Sequence, residues 1–230
     1  MKSKISEIFR SIQGEGKYLG IPQVFIRFYG CNIKCCWCDT QTSLEQEGKS
    51  AFKEYLSQDL IRAVLKEAQG VHSVSLTGGE PLLQKDFLKE FLPLLRQNGF
   101  STYLETNGIL FSSLEEVIDY IDIVSMDFKL PSSTGQKAFW KEHESFLNIA
   151  TKKDVFVKCV ISLDTTEDDV CFAAKLASKV NRDIVFILQP NTFEMEAGVV
   201  DQCQKFQRLC LKYLRDVRVI PQVHKIIGVR

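Results

Sequence analysis

The 230-residue sequence has no excess of charge of either sign, since 29 lysines and arginines balance 29 aspartates and glutamates. Nucleic-acid binders usually need a basic surface to neutralise phosphates, so this balance argues against a nucleic-acid partner. No apolar run approaches the length of a membrane-spanning helix. The charged and polar start of the chain also lacks the apolar stretch of a secretory signal. We therefore expect a cytoplasmic protein that binds neither nucleic acid nor membrane.

The sequence also lacks a pattern for disulfides or for a closed zinc site. Its eight cysteines are expected to stay reduced in a reducing compartment. One group of four lies within eight residues: Cys31, Cys35, Cys36 and Cys38. The other four lie singly in apolar segments and are expected to pack in the interior: Cys159, Cys171, Cys203 and Cys210. No second CxxC or HxxxH pair is present to complete a set of four zinc ligands.

No linker, internal repeat or shift in composition divides the chain, so residues 1–230 are predicted to form a single domain. Apolar β-rich runs alternate with segments of helical spacing. The predicted strands are Val24–Phe28, Val74–Leu76, Thr102–Glu105, Ile121–Asp127, Val155–Ile161 and Ile184–Leu188. This alternation predicts parallel strands joined by right-handed crossovers, in an α/β fold that is either an open barrel or a doubly wound sheet.

Local signals also predict where helices begin and end. Ser57 is expected to cap one helix, and Asn98 with Gly99 to end the next. Ser113 and Glu116 have the spacing of a capping box.

The most unusual segments follow the predicted strands, at residues 30–40, 77–81, 105–108 and 189–190. In both candidate folds, the loops after the strand ends build the functional site. We therefore expect these segments to share one pocket.

The first of these segments supplies three thiolates at a CxxxCxxC spacing, from Cys31, Cys35 and Cys38. Three soft ligands on a short loop suit an iron–sulfur cluster. A [4Fe–4S] cluster held by three cysteines has one open iron, at which a bidentate amino acid can bind. The spacing favours Cys36 as a spectator. The alternatives are a set of buried thiols, which is disfavoured because the loop is polar, and a non-enzymatic zinc or scaffold module.

This cysteine loop resembles that of the radical S-adenosylmethionine (SAM) superfamily. The resemblance implies a [4Fe–4S] cluster on the three cysteines, SAM at the open iron, and a radical SAM core built as an incomplete parallel β/α barrel of about six strands. The segment 77–81, with two glycines and Glu80, resembles the motif for the amino group of SAM. The residues that the resemblance assigns to SAM binding are Trp37, Cys38, Asp39, Gly79, Glu80, Ser125, Met126, Asp127, Lys129 and Gln189.

The sequence is more narrowly similar to the family of 7-carboxy-7-deazaguanine synthases. The matching segments are 9–16, 20–27, 30–32, 37–40, 77–81, 105–108, 189–190 and 221–224. The similarity implies a carbon–nitrogen lyase that converts 6-carboxy-5,6,7,8-tetrahydropterin into 7-carboxy-7-deazaguanine with loss of ammonia, in queuosine and 7-deazapurine biosynthesis. A low-potential donor would reduce the cluster, and a 5′-deoxyadenosyl radical would abstract hydrogen from C6 of the pterin.

This substrate fits several residue types in the matching segments. The turn at residues 12–15 has a polar backbone to read the pterin edge and a carboxylate, Glu15, to accept from its amino group. The Arg27 guanidinium suits a bidentate contact with the substrate carboxylate. The predicted substrate-binding residues are Ile12, Gln13, Gly14, Glu15, Arg27, Thr77 and His224. His224 belongs to a C-terminal tail that is expected to close the pocket.

Thr40 matches the magnesium ligand of the family, and Mg²⁺ commonly takes one protein oxygen while it keeps substrate oxygens and water. The resemblance further implies a reductant protein such as flavodoxin or ferredoxin, and a homodimer is expected because it is the commonest oligomer. The alternative enzyme is one that activates a glycyl-radical enzyme with the same cluster and cofactor. That enzyme would not need the 12–15 turn together with Arg27 and Thr40.

Overall fold

The computed structural model of the chain describes residues 1–39 and 52–229. Nine strands within these residues form one sheet, in the order β3-β1-β2-β4-β5-β6-β7-β8-β9. The strands are β1 Lys2–Ile12, β2 Pro22–Phe28, β3 Lys53–Leu56, β4 Ser73–Gly78, β5 Thr102–Thr106, β6 Ile123–Asp127, β7 Asp154–Ile161, β8 Val185–Pro190 and β9 Asp216–Val219. The run from β2 through β4 to β9 is parallel, while β1 pairs antiparallel with both β2 and β3.

Helices connect the parallel strands. They are α1 Ser57–Glu67, α2 Lys85–Gln97, α3 Phe111–Val117, α4 Pro131–Thr134, α5 Trp140–Ala150, α6 Glu167–Val180, α7 Val199–Cys210 and α8 Val223–Ile227. No helix within the described ranges is long and apolar enough to cross a membrane.

One face of the parallel strands packs against these helices. Because side chains alternate between the two faces of a strand, every second residue joins this layer. On β6 and β7, for example, Val124, Met126, Val157 and Cys159 are fully buried in the main hydrophobic core. This apolar layer fixes the register of the strands, since a slip by one residue would expose it.

The opposite face of the sheet is apolar near the amino ends of the strands and polar near their carboxyl ends. Near the amino ends, four side chains form a small apolar cluster: Tyr103, Ile123, Phe156 and Ile187. Further along the same strands, polar and charged side chains take their place and line a cavity. The functional site is therefore expected at the carboxyl ends of the strands, above an apolar base.

The prediction of an α/β fold with an open parallel sheet is confirmed, and each of the six predicted strands corresponds to a strand from β2 to β8. The sequence analysis missed β1, β3 and β9. Strands β3 and β9 are short and lie at the two edges of the sheet, while charged residues interrupt β1, so none of the three has the continuous apolar run of a buried parallel strand. Three of the four scattered cysteines are buried as expected, and Cys171 is partly exposed.

The prediction for the end of α2 is confirmed. Asn98 follows the last residue of α2, and Gly99 has a φ of 77°. The prediction for Ser57 is wrong, because no side chain caps α1 and the Ser57 hydroxyl instead hydrogen-bonds Glu90 at 3.3 Å.

The capping box predicted for Ser113 and Glu116 is also absent. Helix α3 begins two residues earlier, at Phe111, so that Ser113 lies inside it. Glu116 forms ion pairs with Lys85 and Lys89 of α2. Tertiary contacts between α2 and α3 thus outweigh the local capping signal.

Candidate active site

The cysteine loop follows β2 and packs tightly on the end of β4. A Cβ atom at Gly79 would lie 1.9 Å from the carbonyl oxygen of Gly30, and one at Gly78 would lie 2.5 Å from that of Phe28. The Glu80 amide also donates to the Gly30 carbonyl at 2.8 Å. Both glycines are therefore required for the close approach of the two backbones, which holds the start of the cysteine loop in place.

The loop turns three of its four thiols toward one cavity of about 410 Å³. Cys31, Cys35 and Cys38 line this cavity, whereas Cys36 is exposed and its sulfur lies 3.3 Å from the carbonyl oxygen of Ser133. Burial raises the pKa of the Cys35 thiol to about 11, and the charge of Lys129 opposes this effect. Cys36 therefore lies outside the cavity that the other three thiols line.

The three thiols fit an iron–sulfur cluster by their chemistry. Each would bind a different iron atom, so they need not meet at one point. Within residues 1–39 and 52–229, no three His, Cys, Asp or Glu side chains converge to hold a single metal ion.

Two buried acceptors in the same cavity fit a ligand that carries hydroxyl and amino donors. Oδ1 of Asp127 and Oε1 of Gln189 are buried and have no hydrogen-bond partner among the described residues. Both side chains line the cavity. Because buried polar atoms are usually paired, these two oxygens indicate a binding site for a polar ligand such as SAM.

A cation lies between these acceptors and the cysteine loop. The Lys129 ammonium is 2.8 Å from Oδ2 of Asp127 and 4.9 Å from the centre of the Trp37 ring. It is suitably placed to attract a ligand carboxylate. Of the other residues predicted to bind SAM, Asp39, Gly79 and Ser125 line the cavity as well.

Glu80 and Met126 were also predicted to bind SAM, but neither lines the cavity. The Glu80 carboxylate is fully buried and accepts from Thr106 Oγ1 and from the Leu82 and Asn107 amides. Burial raises its pKa to about 7, although these hydrogen bonds oppose the rise. The Met126 side chain lies in the hydrophobic core. The structure therefore shows Glu80 in a buried hydrogen-bond network and Met126 in the core, and their predicted roles stay predictions.

The predicted substrate turn, from Ile12 to Glu15, lines the same cavity. The Gln13 amide donates to Oε1 of Glu105 at 2.9 Å, and its oxygen accepts from the Glu15 amide at 3.0 Å. Glu105 also accepts from the Thr77 hydroxyl at 2.8 Å. Two predicted substrate residues, Gln13 and Thr77, are thus joined through Glu105.

The Glu15 carboxylate forms an ion pair with Lys158 of β7. Burial alone would raise the pKa of Glu15, but the charge of Lys158 and hydrogen bonds from Gln222 and Lys158 lower it. Burial alone would lower the pKa of Lys158, but Glu15, Asp127 and Glu105 together raise it. Both members of the pair are therefore ionised.

The C-terminal tail covers the substrate turn. The Val223 amide donates to the Gly14 carbonyl at 2.9 Å. The His224 ring lies so close to Gly14 that a Cβ atom there would be 2.2 Å from Nδ1. Lys225 forms an ion pair with Asp39 at 3.0 Å. These contacts bring His224 into the cavity wall and join the tail to the substrate turn and to the end of the cysteine loop.

Arg27, on β2, lines the cavity beside the turn. Its Nε lies 3.5 Å from Oε2 of Glu7, and its guanidinium lies 5.5 Å from the centre of the Phe9 ring. These contacts hold the guanidinium in place while it faces the cavity.

Several cavity residues were not among the predicted site residues, and they include the polar side chains of Glu105, Asn107, Lys158 and Gln222. Lys158 is the only charged residue between Val155 and Ile161. A lysine in so apolar a strand could have indicated a functional residue. Gln222 lies beside His224 in the matching tail segment. Thr40, the predicted magnesium ligand, lies outside the described residues.

Comparison with known proteins shows the family of the chain. Residues 25–177 match the model of the Radical SAM superfamily. The chain is 39% identical to the 7-carboxy-7-deazaguanine synthase of Geobacter sulfurreducens, over 98% of this chain and 97% of that protein. It is 34% identical to the protein of the same name from Methanocaldococcus jannaschii, over 97% and 99% of the two chains.

The fold agrees with these relatives. The crystal structure of QueE from Escherichia coli superposes with a TM-score of 0.66 at 24% identity and covers 97% of this chain and 95% of that one. The chain therefore belongs to the Radical SAM superfamily and, within it, to the family of 7-carboxy-7-deazaguanine synthases.

Proposed function

We propose that this protein converts 6-carboxy-5,6,7,8-tetrahydropterin into 7-carboxy-7-deazaguanine and ammonia, as a carbon–nitrogen lyase of 7-deazapurine biosynthesis. One observation carries the proposal. The thiols of Cys31, Cys35 and Cys38 and the turn from Ile12 to Glu15 line the same cavity. Cofactor and substrate would therefore share one cavity.

When bound, the [4Fe–4S] cluster and SAM supply one-electron chemistry that removes a hydrogen atom from the substrate. The three cysteines hold the cluster. Asp127 and Gln189 accept hydrogen bonds from hydroxyl and amino groups of SAM, and Lys129 attracts its carboxylate. The support for these three roles is the unpaired state of the two oxygens among the described residues and the position of the lysine beside the cysteine loop.

The substrate is held by groups of complementary polarity. Arg27 binds its carboxylate, and Gln13 and Glu15 contact the amide and amino edge of the pterin. Thr77 holds Glu105, which in turn orients Gln13. The tail around His224 excludes water from the bound pterin, which favours a radical reaction by preventing side reactions.

Magnesium belongs to the proposal through Thr40, which would supply one protein oxygen. We further propose a small low-potential reductant protein such as flavodoxin or ferredoxin, because the cluster must receive an electron. A homodimer and a cytoplasmic location complete the proposal. The location is supported by eight free cysteines, which suit a reducing compartment.

The test is anaerobic reconstitution of the cluster, followed by incubation with dithionite, SAM, Mg²⁺ and 6-carboxytetrahydropterin. We expect a product with the mass of 7-carboxy-7-deazaguanine, and none from a Cys31→Ala variant treated in the same way. If the loaded enzyme cleaves SAM but leaves the pterin unchanged, the substrate assignment fails. One zinc and no sulfide per chain would overturn the radical chemistry as well. The family membership disfavours the glycyl-radical activase alternative.

A further inference from the structure

Lys158 is a buried cation in the floor of the cavity, and neither cluster nor SAM binding accounts for it. It lies on β7 between Val157 and Cys159, which face the hydrophobic core. Its side chain points the other way and is only 12% exposed. Burial of a charged lysine at such a position costs free energy unless the ammonium group is paired with a carboxylate.

Two carboxylates from different parts of the chain supply the pairing. One is Glu15 of the substrate turn, and the other is Asp127 of β6, whose Oδ2 lies 3.8 Å from the Lys158 ammonium. Asp127 in turn pairs with Lys129 at 2.8 Å. Two cations and two anions therefore form one neutral chain of contacts, which runs from the proposed SAM site to the proposed substrate site.

The Glu15 carboxylate is held at both of its oxygens. Oε2 contacts Lys158, and Oε1 accepts from the Gln222 amide at 2.6 Å. The lysine comes from a central strand, whereas the glutamine comes from the covering tail. The strand contact is the rigid one, since β7 is paired on both sides, with β6 and with β8.

We propose that Lys158 is a positioning residue for the pterin, which it serves by holding the Glu15 carboxylate in a fixed, ionised state. An ionised carboxylate accepts hydrogen bonds from the amino edge of the pterin with both of its oxygens, whereas a protonated one does so poorly. This inference rests on the proposed function. It assigns Lys158 to substrate affinity through Glu15, with no contact between the lysine and the pterin.

The test compares Lys158→Met with Lys158→Arg in the reconstituted holoenzyme. We expect Lys158→Met to raise the KM for 6-carboxytetrahydropterin roughly ten- to hundredfold, the range for a lost charged hydrogen bond. The kcat should stay within about threefold of the wild-type value, as for a loss of uniform binding. Lys158→Arg should restore most of the affinity. Lys152→Met, at an exposed position before β7, is the matched control and should behave as wild type.

Affinity is also measured without turnover, by equilibrium dialysis of the pterin against holoenzyme with SAM and no reductant. The Kd should rise by the same factor as the KM. Iron content and circular dichroism of each variant show whether it folds and holds its cluster.

A double variant separates positioning from direct contact and also removes the risk of an unpaired buried charge. If Lys158 acts through Glu15, then Glu15→Gln/Lys158→Met should bind the pterin no more weakly than Glu15→Gln alone. Additive losses would show that the lysine contacts the substrate itself and would overturn the inference. An unchanged Kd in folded Lys158→Met would overturn it too, while the proposed function stood. A wild-type enzyme that neither binds nor converts the pterin would overturn both.

Discussion

The Gln222 amide donates a hydrogen bond to Oε1 of Glu15 at 2.6 Å, across 207 residues of chain. The same amide group reaches Oδ2 of Asp39 at 3.0 Å. One side chain of the tail therefore joins the substrate turn to the end of the cysteine loop. The tail contributes to the wall of the cavity through these contacts.

We expect Gln222→Ala to weaken substrate binding, because Glu15 loses one of its two fixed contacts. Loss of this hydrogen bond to a charged group should raise the KM for the pterin about tenfold. The rate of SAM cleavage at saturating substrate should be unchanged. Steady-state kinetics check both values, with Gln204→Ala at an exposed position of α7 as the control. Equal KM values for the two variants would contradict a role for the tail in binding.

Gly79→Ala should prevent the cysteine loop from reaching its place. The added methyl group would lie 1.9 Å from the Gly30 carbonyl oxygen, and this contact is with backbone that cannot rotate away. We expect a loss of stability of about 2 kcal/mol or more from overpacking, together with less than stoichiometric iron after reconstitution. Iron and sulfide analysis and chemical denaturation measure these effects.

Gly14→Ala provides a comparison with a softer obstacle. Its methyl group would meet the His224 side chain at 2.2 Å. We expect normal iron content in this variant and a raised KM. Because the Cβ atom of His224 itself would lie 2.5 Å from the added methyl group, the rescue variant needs glycine at 224, and Gly14→Ala/His224→Gly should have the KM of His224→Gly alone. Iron loss in Gly14→Ala equal to that in Gly79→Ala would show that the two glycines do not act on separate sides of the cavity.

Cys36→Ala should keep the cluster, whereas alanine at Cys31, Cys35 or Cys38 should abolish it. We expect this because the Cys36 side chain points away from the cavity, toward the Ser133 carbonyl. Visible absorption and iron content after anaerobic reconstitution give the result. The reverse pattern would contradict the ligand assignment.

His143 should make the apoprotein less stable in acid. The ring is fully buried, stacks on Phe128 with centroids 4.7 Å apart, and donates through Nε2 to the Asn107 carbonyl at 3.2 Å. Burial lowers its pKa to about 3, and the charge of Lys129 acts in the same direction, while the hydrogen bond to Asn107 opposes it. The neutral ring is thus strongly favoured in the folded state.

Since the folded pKa lies below the unfolded value, the contribution of His143 is fully present above about pH 6.5. It is lost as the pH falls from there toward about 3. His143→Phe should therefore show a shallower fall in unfolding free energy between pH 7 and pH 4.5, despite a loss of about 1 kcal/mol at pH 7 from the missing hydrogen bond. Urea unfolding at several pH values tests this, and parallel curves for the two proteins would refute it.

Much of the fold followed from the sequence because the parallel strands are buried on the face that packs against helices. Their apolar runs stand out, and the six predicted strands all appear in the sheet. Strands β1 and β3 did not stand out, since charged residues interrupt their apolar residues. The capping predictions failed because contacts with α2 decide where the Ser57 and Glu116 side chains go.

The sequence by itself determined the cysteine triplet and the loop that carries it, because the spacing of three ligands within eight residues is a local property of the chain. It also marked the 12–15 turn, Arg27 and the tail as one family pattern. Only the tertiary structure decided that Lys158 pairs with Glu15, that Glu105 joins Gln13 to Thr77, and that Gln222 spans the cavity. Such pairings depend on how the fold brings strands, the turn after β1 and the tail together, and no local pattern in the sequence carries that arrangement.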